Sequence, residues 1–209
     1  MRFAQPQPGS AIGDSVWAPP DAVPGAEAVY KLTADDNESP QYAAFYFLPD
    51  ITPILNDASL YEADLRKSSD SLITLAWVIA SFINGRLPKM DTPHQGSQIP
   101  ELSLQRGTVI VANGSSPRPE WVEDYHAWYD QEHGGKLGKV PGWQSMRRYE
   151  LAKVYGEIPT ASFYGINFYD EKNGLGGPEW KEGVTPWTLR IRDQAAKPNV
   201  RRVWKMVSA

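Results

Sequence analysis

The strongest constraint on this 209-residue chain is that it resembles itself. Ala22–Leu32, AVPGAEAVYKL, echoes Lys139–Leu151, KVPGWQSMRRYEL, and past a two-residue gap the offset settles at 119 residues. Tyr30 then matches Tyr149, Leu32 matches Leu151 and Pro40 matches Pro159, while Gln41–Leu48 falls on Thr160–Asn167. Each copy reads as a Val-Pro-Gly turn, a strand, a polar hairpin loop and an aromatic strand. Self-similarity on this scale predicts two similar units facing each other, with Val23–Leu48 equivalent to Val140–Asn167.

The second copy carries more of the pattern. Gly107–Gly114, GTVIVANG, is a short β-branched strand, and the helix after it has Ser116 as a cap, Pro117 or Pro119 in its first turn and Gly134–Gly135 as its stop. A second helix is predicted from near Thr185–Pro186, and NVRRVWKMV (Asn199–Val207) closes the unit as a strand. The order βαββαβ is that of a ferredoxin-like unit. In the first copy only 22 residues precede Val23, and their opening strand and helix read as lost or replaced. A helix is expected near Ala58–Ser68, whereas Leu72–Ile83 fits strand or helix equally. The expected fold class is therefore α+β: two ferredoxin-like half-domains, the first truncated, in a dimeric α+β-barrel-type architecture. The boundaries are an irregular segment 1–22, a degenerate first half 23–90, a connector 91–106 and a complete second half 107–209. A truncated half covers its partner sheet incompletely, which predicts a homodimer or an unusually open barrel.

Asp124–Trp143, DYHAWYDQEHGGKLGKVPGW, concentrates two of the three histidines of the chain among aromatics and acids. With Trp121 and the strand to Leu151 it resembles the signature of EthD-like proteins of the dimeric α+β-barrel superfamily. That pattern is carried here by Tyr125, Trp128, Tyr129, Glu132, His133, Leu137, Val140, Pro141, Gly142, Arg148 and Tyr149. The tail from Thr185 is similar to the end of fungal tandem members. The resemblance implies a barrel and enzymes of polyketide-like secondary metabolism: cofactor-free oxygenases, decarboxylases, dehydratases and cyclases. Gly134–Gly135 depart from the pattern, where a bulky residue and a proline often follow the histidine, and are expected to open a pocket beside His133.

On a helix Tyr125, Tyr129 and His133 share one stripe, with Trp128 and Glu132 beside it. This stripe is expected to face the concave sheet. His133 is the candidate proton shuttle, because imidazole titrates near neutrality without a cofactor. Glu132 either orients that ring or is solvated, and Tyr129 is the third catalytic candidate. Tyr125, Trp128 and Phe163 are expected to line the pocket, with Trp187 at its mouth or stapling its helix. Arg147 and Arg148 are adjacent on a strand, so only one faces inward; the resemblance favours Arg148. Helical geometry places His126 on the surface, and His94 sits in the connector.

Composition narrows the function classes. A net charge of −4 argues against a nucleic-acid footprint, and the absence of cysteine removes disulfides and thiolate chemistry. No apolar run reaches transmembrane length, no early stretch reads as a signal peptide, and a cytoplasmic location is the default. Eight Trp and ten Tyr suit an apolar pocket as well as plain core packing. No metal site and no cofactor are expected. The expectation is a lyase-type enzyme dehydrating or decarboxylating an apolar, oxygenated small molecule. The alternatives are a cofactor-free oxygenase, a shape-driven cyclase of Diels–Alder type and a non-catalytic binding protein.

Overall fold

Eight strands, each paired on both sides, close into one antiparallel barrel in the computed structural model, which describes residues 1–10, 13–17, 23–94 and 104–208. The strands are β1 (Arg2–Pro6), β2 (Ala28–Ala34), β3 (Tyr42–Phe47), β4 (Ile73–Arg86), β5 (Val109–Ser115), β6 (Trp143–Tyr155), β7 (Phe163–Tyr169) and β8 (Val200–Ser208). Around the barrel they run β1-β3-β2-β8-β5-β7-β6-β4, and β4 returns to β1. The helices are few and short: α1 (Thr52–Asn56), α2 (Ser59–Asp70), α3 (Val122–Trp128), α4 (Gly134–Leu137), α5 (Pro178–Lys181) and α6 (Pro186–Asp193). None of the described helices is long and apolar enough to cross a membrane.

This architecture overturns the expected α+β pair of ferredoxin-like half-domains with a truncated first half. The sheet is a single closed barrel, and Arg2–Pro6, inside the segment read as irregular, is a strand hydrogen-bonded to both β3 and β4. The sequence hid it for a physical reason. Its outward residue Arg2 reads as solvated, yet is only 1% exposed because Asp64 of α2 accepts from its Nε at 2.7 Å and its Nη2 at 3.0 Å. An open barrel is likewise not what forms: β4 pairs with β6 from Trp77–Tyr155 to Arg86–Met146, and β2 pairs with β8. Closure leaves no sheet edge unpaired. Residues 95–103 of the expected connector and 18–22 of the N-terminal segment lie outside the described residues.

The repeat survives as a pairing pattern. Tyr30 and Leu32 of β2, and their matches Tyr149 and Leu151 of β6, all belong to or pack against the barrel interior, as do Phe45 and Tyr164. The stretch left open between helix and strand is β4, and α2 lies where a helix was expected.

Strand alternation divides the apolar residues into three layers. Inside the barrel Leu32, Phe45, Val78, Ile110, Ile166, Phe168 and Trp204 pack together. Outside the β5–β7–β6 wall, Val109, Val111, Met146, Phe163 and Tyr169 meet the aromatic helix α3 and Ile191 of α6. Outside the opposite wall, Ile54, Leu75, Trp77 and Ile79 form a third layer under α1 and α2. Fully burying one such large side chain contributes about 1.5–3 kcal/mol.

Candidate active site

The aromatic helix is continuous in a way the sequence disguised. From α3 the chain passes through a π-helical turn (Tyr129–His133) into α4, so Gly134–Gly135 do not end it. In the π turn the Gly134 N–H reaches back five residues to Tyr129 O, which brings residues five apart over one another. The Trp128 and His133 rings accordingly stack, centroids 4.1 Å apart. A Cβ on Gly134 would stand 2.9 Å from Tyr129 O, and one on Gly135 would meet Arg86 Nη1 at 3.2 Å. The glycines therefore admit the backbone turn and the Arg86 side chain, not a pocket.

Most of the predicted site residues do come together, but on the outside of the barrel. Tyr125, Trp128, Tyr129 and Phe163 are all under 8% exposed and packed ring to ring: Tyr125 lies 5.4 Å from both Tyr129 and Phe163, and Trp128 lies 4.7 Å from Tyr129. The expectation that this stripe faces the concave side is corrected by β7, whose Phe163 and Tyr169 point to the helix layer while Tyr164, Ile166 and Phe168 point inward. Gly165 lies between Phe163 and Tyr169 on that outer side, and the Tyr129 hydroxyl occupies the place its Cβ would take.

The polar members of the set are tied into the same layer. Burial pushes the His133 imidazole down to about 3, against a hydrogen bond with the Gly183 backbone that works the other way. The ring is thus neutral at physiological pH. Glu132 accepts a hydrogen bond from Thr185 Oγ1, and Thr185 caps α6 where that helix was predicted to start. Trp128 Nε1 donates to Thr188 Oγ1 at 3.2 Å, and Trp187 Nε1 donates to Asp124 at 3.0 Å, so Trp187 staples α6 to α3. Arg148, 1% exposed, faces the helix and not the barrel interior. Its guanidinium sits 4.5 Å from the Tyr129 ring centroid, 2.8 Å from Asp130 Oδ1 and 2.6 Å from His126 Nδ1. His126 is half-buried rather than on the surface, and burial together with Arg148 lowers its pKa.

A cavity of about 730 Å³ lies elsewhere, and none of the eight predicted residues lines it. The registers locate it. Arg2 pairs with Ala44 of β3 and with Trp77 of β4, and Met1 pairs with Val78. Beyond them Phe45, Phe47, Val78, Ala80 and Phe82 line a space that reaches Ile166 on the far wall. Into this largely apolar chamber β6 sends Arg147 and Tyr149, two residues apart and therefore on one face. The Arg147 guanidinium lies 5.7 Å from the Phe47 ring centroid, and Phe82 meets Tyr149 edge-on at 5.7 Å. Burial pushes the Tyr149 phenol up to about 12 although the Arg147 charge opposes it. At neutral pH the pair is therefore a cation beside a neutral O–H donor.

Sequence reasoning missed these two residues. A signal was present: the repeat matches Tyr149 to Tyr30, and both lie on the interior side with Leu32 and Leu151. Arg147 shares that side by alternation, and Arg148 takes the other. Among the described residues no three His, Asp or Glu side chains converge as metal ligands would.

No protein-family model matches the chain, and no curated protein sequence does. Among solved structures the chain is similar to an anthrone oxidase-like protein, with a TM-score of 0.57 at 12% identity over 88% of this chain and 79% of that one. A protein of Lactobacillus acidophilus NCFM, described as a candidate monooxygenase, gives a TM-score of 0.45 at 12% identity over 85% and 76%. The first likeness shows a shared fold alone; the fungal tandem subtype gains no support from it.

Proposed function

We propose that this chain is an enzyme of the cofactor-free oxygenase type, acting on a flat, apolar, oxygenated small molecule held in the 730 Å³ cavity. The observation that carries the reading is the pair Arg147 and Tyr149 on one strand face of a ligand-sized chamber walled largely by apolar side chains. A half-buried guanidinium in such a chamber favours a bound anion over the neutral acid. A weakly acidic phenol or enol is thus bound as its oxyanion, with Tyr149 donating a further hydrogen bond. An electron-rich anion of this kind is a reductant for dioxygen in its own right, and the apolar walls exclude water from it.

The fold shared with the anthrone oxidase-like protein supports the same direction. The lyase reading depended on His133 as a proton shuttle, and that ring is neutral and packed against Trp128 outside the barrel. The oxygenase alternative needs no such group.

The test uses anthrone and dissolved oxygen. Anthrone (C14H10O) plus one O2 gives anthraquinone (C14H8O2) plus one H2O. Expected are oxygen uptake and quinone absorbance above the uncatalysed rate, both abolished in Ala80→Trp, which fills the chamber from β4. Anthrone binding without oxygen uptake would replace the proposal with a non-catalytic binding protein, and absence of binding would refute the site.

A further inference from the structure

A second, smaller cavity of about 60 Å³ adjoins the larger one, sharing Met1 and Val78 with it. Ala112, Tyr164 and Trp204 are among its walls. Trp204 is wholly buried, and its Nε1 has no hydrogen-bond partner. Such a group needs a cause, because a buried N–H without an acceptor is destabilising. The ring is not free to turn away. Phe3 packs at 5.8 Å, and the Arg202 guanidinium covers it at 4.3 Å. Arg202 is itself pinned by Asp36 at 3.0 Å and by the carbonyls of Glu38 and Pro40, each at 2.9 Å. The donor is thus held in place beside an empty volume.

The strand registers relate this donor to the Arg147–Tyr149 pair. Arg147 is opposite Ile166, Ile166 opposite Ala112 and Ala112 opposite Arg202, two residues from Trp204. Three inter-strand steps and the two residues from Arg202 to Trp204 separate the two sites by about 16 Å along the wall. Both residues lie on the interior side of the barrel, and the cavities that they line adjoin at Met1 and Val78.

We infer that the ligand of this barrel carries oxygens at opposite ends. One is bound by Arg147 and Tyr149, and the other, a carbonyl, accepts a hydrogen bond from Trp204 Nε1. The inference rests on the chamber being the ligand site, as in the proposed function, but not on oxygen chemistry. Trp204 is then a specificity residue that selects para-oxygenated rings over rings with one oxygen.

The experiment is anaerobic binding to the full chain of two probes of one skeleton: anthraquinone, with two opposed carbonyls, and anthrone, with one. Wild type is expected to prefer anthraquinone by about three- to tenfold, the contribution of one neutral hydrogen bond. In Trp204→Phe, which keeps the ring contacts with Phe3 and Arg202, the preference should vanish while anthrone affinity stays. An unchanged preference would overturn the inference and leave Trp204 to a buried water. Should the variant not fold, the infrared spectrum of anthraquinone bound to wild type decides. No carbonyl band should remain at its hydrocarbon-solvent position, and a persistent band there overturns the inference. Loss of oxygen uptake with the preference intact would remove the oxygenase reading alone.

Discussion

His133 lies face to face with Trp128, ring centroids 4.1 Å apart and planes inclined by 19°. Burial in this layer keeps the imidazole neutral down to about pH 3, whereas the unfolded chain protonates near 6.5. The folded-state pKa is the lower one, so this group's contribution to stability is complete above pH 6.5 and is lost as pH falls towards 3. The slope reaches at most about 1.4 kcal/mol per pH unit. Urea midpoints taken from pH 7 to 4 should fall steeply for wild type and less so for His133→Phe. Parallel curves would mean that the ring titrates normally in the folded protein.

Arg147 and Arg148 are neighbours on β6 with opposite surroundings, and their removal should separate activity from stability. If Arg147 holds a substrate oxyanion, Arg147→Met raises the pKa of the bound substrate by about 1–3 units. The acid limb of the kcat–pH profile for oxygen uptake then moves to higher pH. Arg148→Met should leave that limb in place, because Arg148 is occupied by Asp130 and His126 outside the barrel. A limb unmoved in Arg147→Met would show that the guanidinium does not face the reacting anion.

Asp64 accepts from Arg2 and from Trp77 Nε1 at 2.8 Å, with both partners of the ion pair 1% exposed. Asp64→Asn breaks this buried ion pair by removing its carboxylate, which should cost about 3–5 kcal/mol in equilibrium unfolding. A loss under about 1 kcal/mol would show that water reaches Arg2.

Gly165 gives up its Cβ position to the Tyr129 hydroxyl. Gly165→Ala should therefore destabilise by about 1–3 kcal/mol through overpacking. Adding Tyr129→Phe removes the clashing oxygen and should recover part of the loss, which a double-mutant cycle reads as a positive coupling. Additive losses would place the strain elsewhere.

The sequence was informative wherever a signal is local. Thr185 before Pro186 marks a helix start by cap chemistry, and Tyr125, Trp128 and Tyr129 cluster because helical spacing brings those rings together, whereas His133 meets Trp128 through the π turn. It was uninformative where a partner far along the chain changes a residue's meaning. Arg2 looks like a solvated end until Asp64, sixty-two residues away, covers it. Gly134–Gly135 look like a helix stop until Arg86 and a π turn occupy the space they leave.

By itself the amino-acid order determined the repeat, six of the strand segments and the aromatic helix, because periodicity and turn residues act over a few positions. It could not determine which side of each strand becomes the inside. Alternation has period two and no sign, so Arg147 and Tyr149 are distinguished from Arg148 only when the eighth strand pairs on both sides and the sheet closes. Closure placed the expected site in the helix layer outside the wall, and gave the chamber to residues that the local pattern left as neighbours of the site.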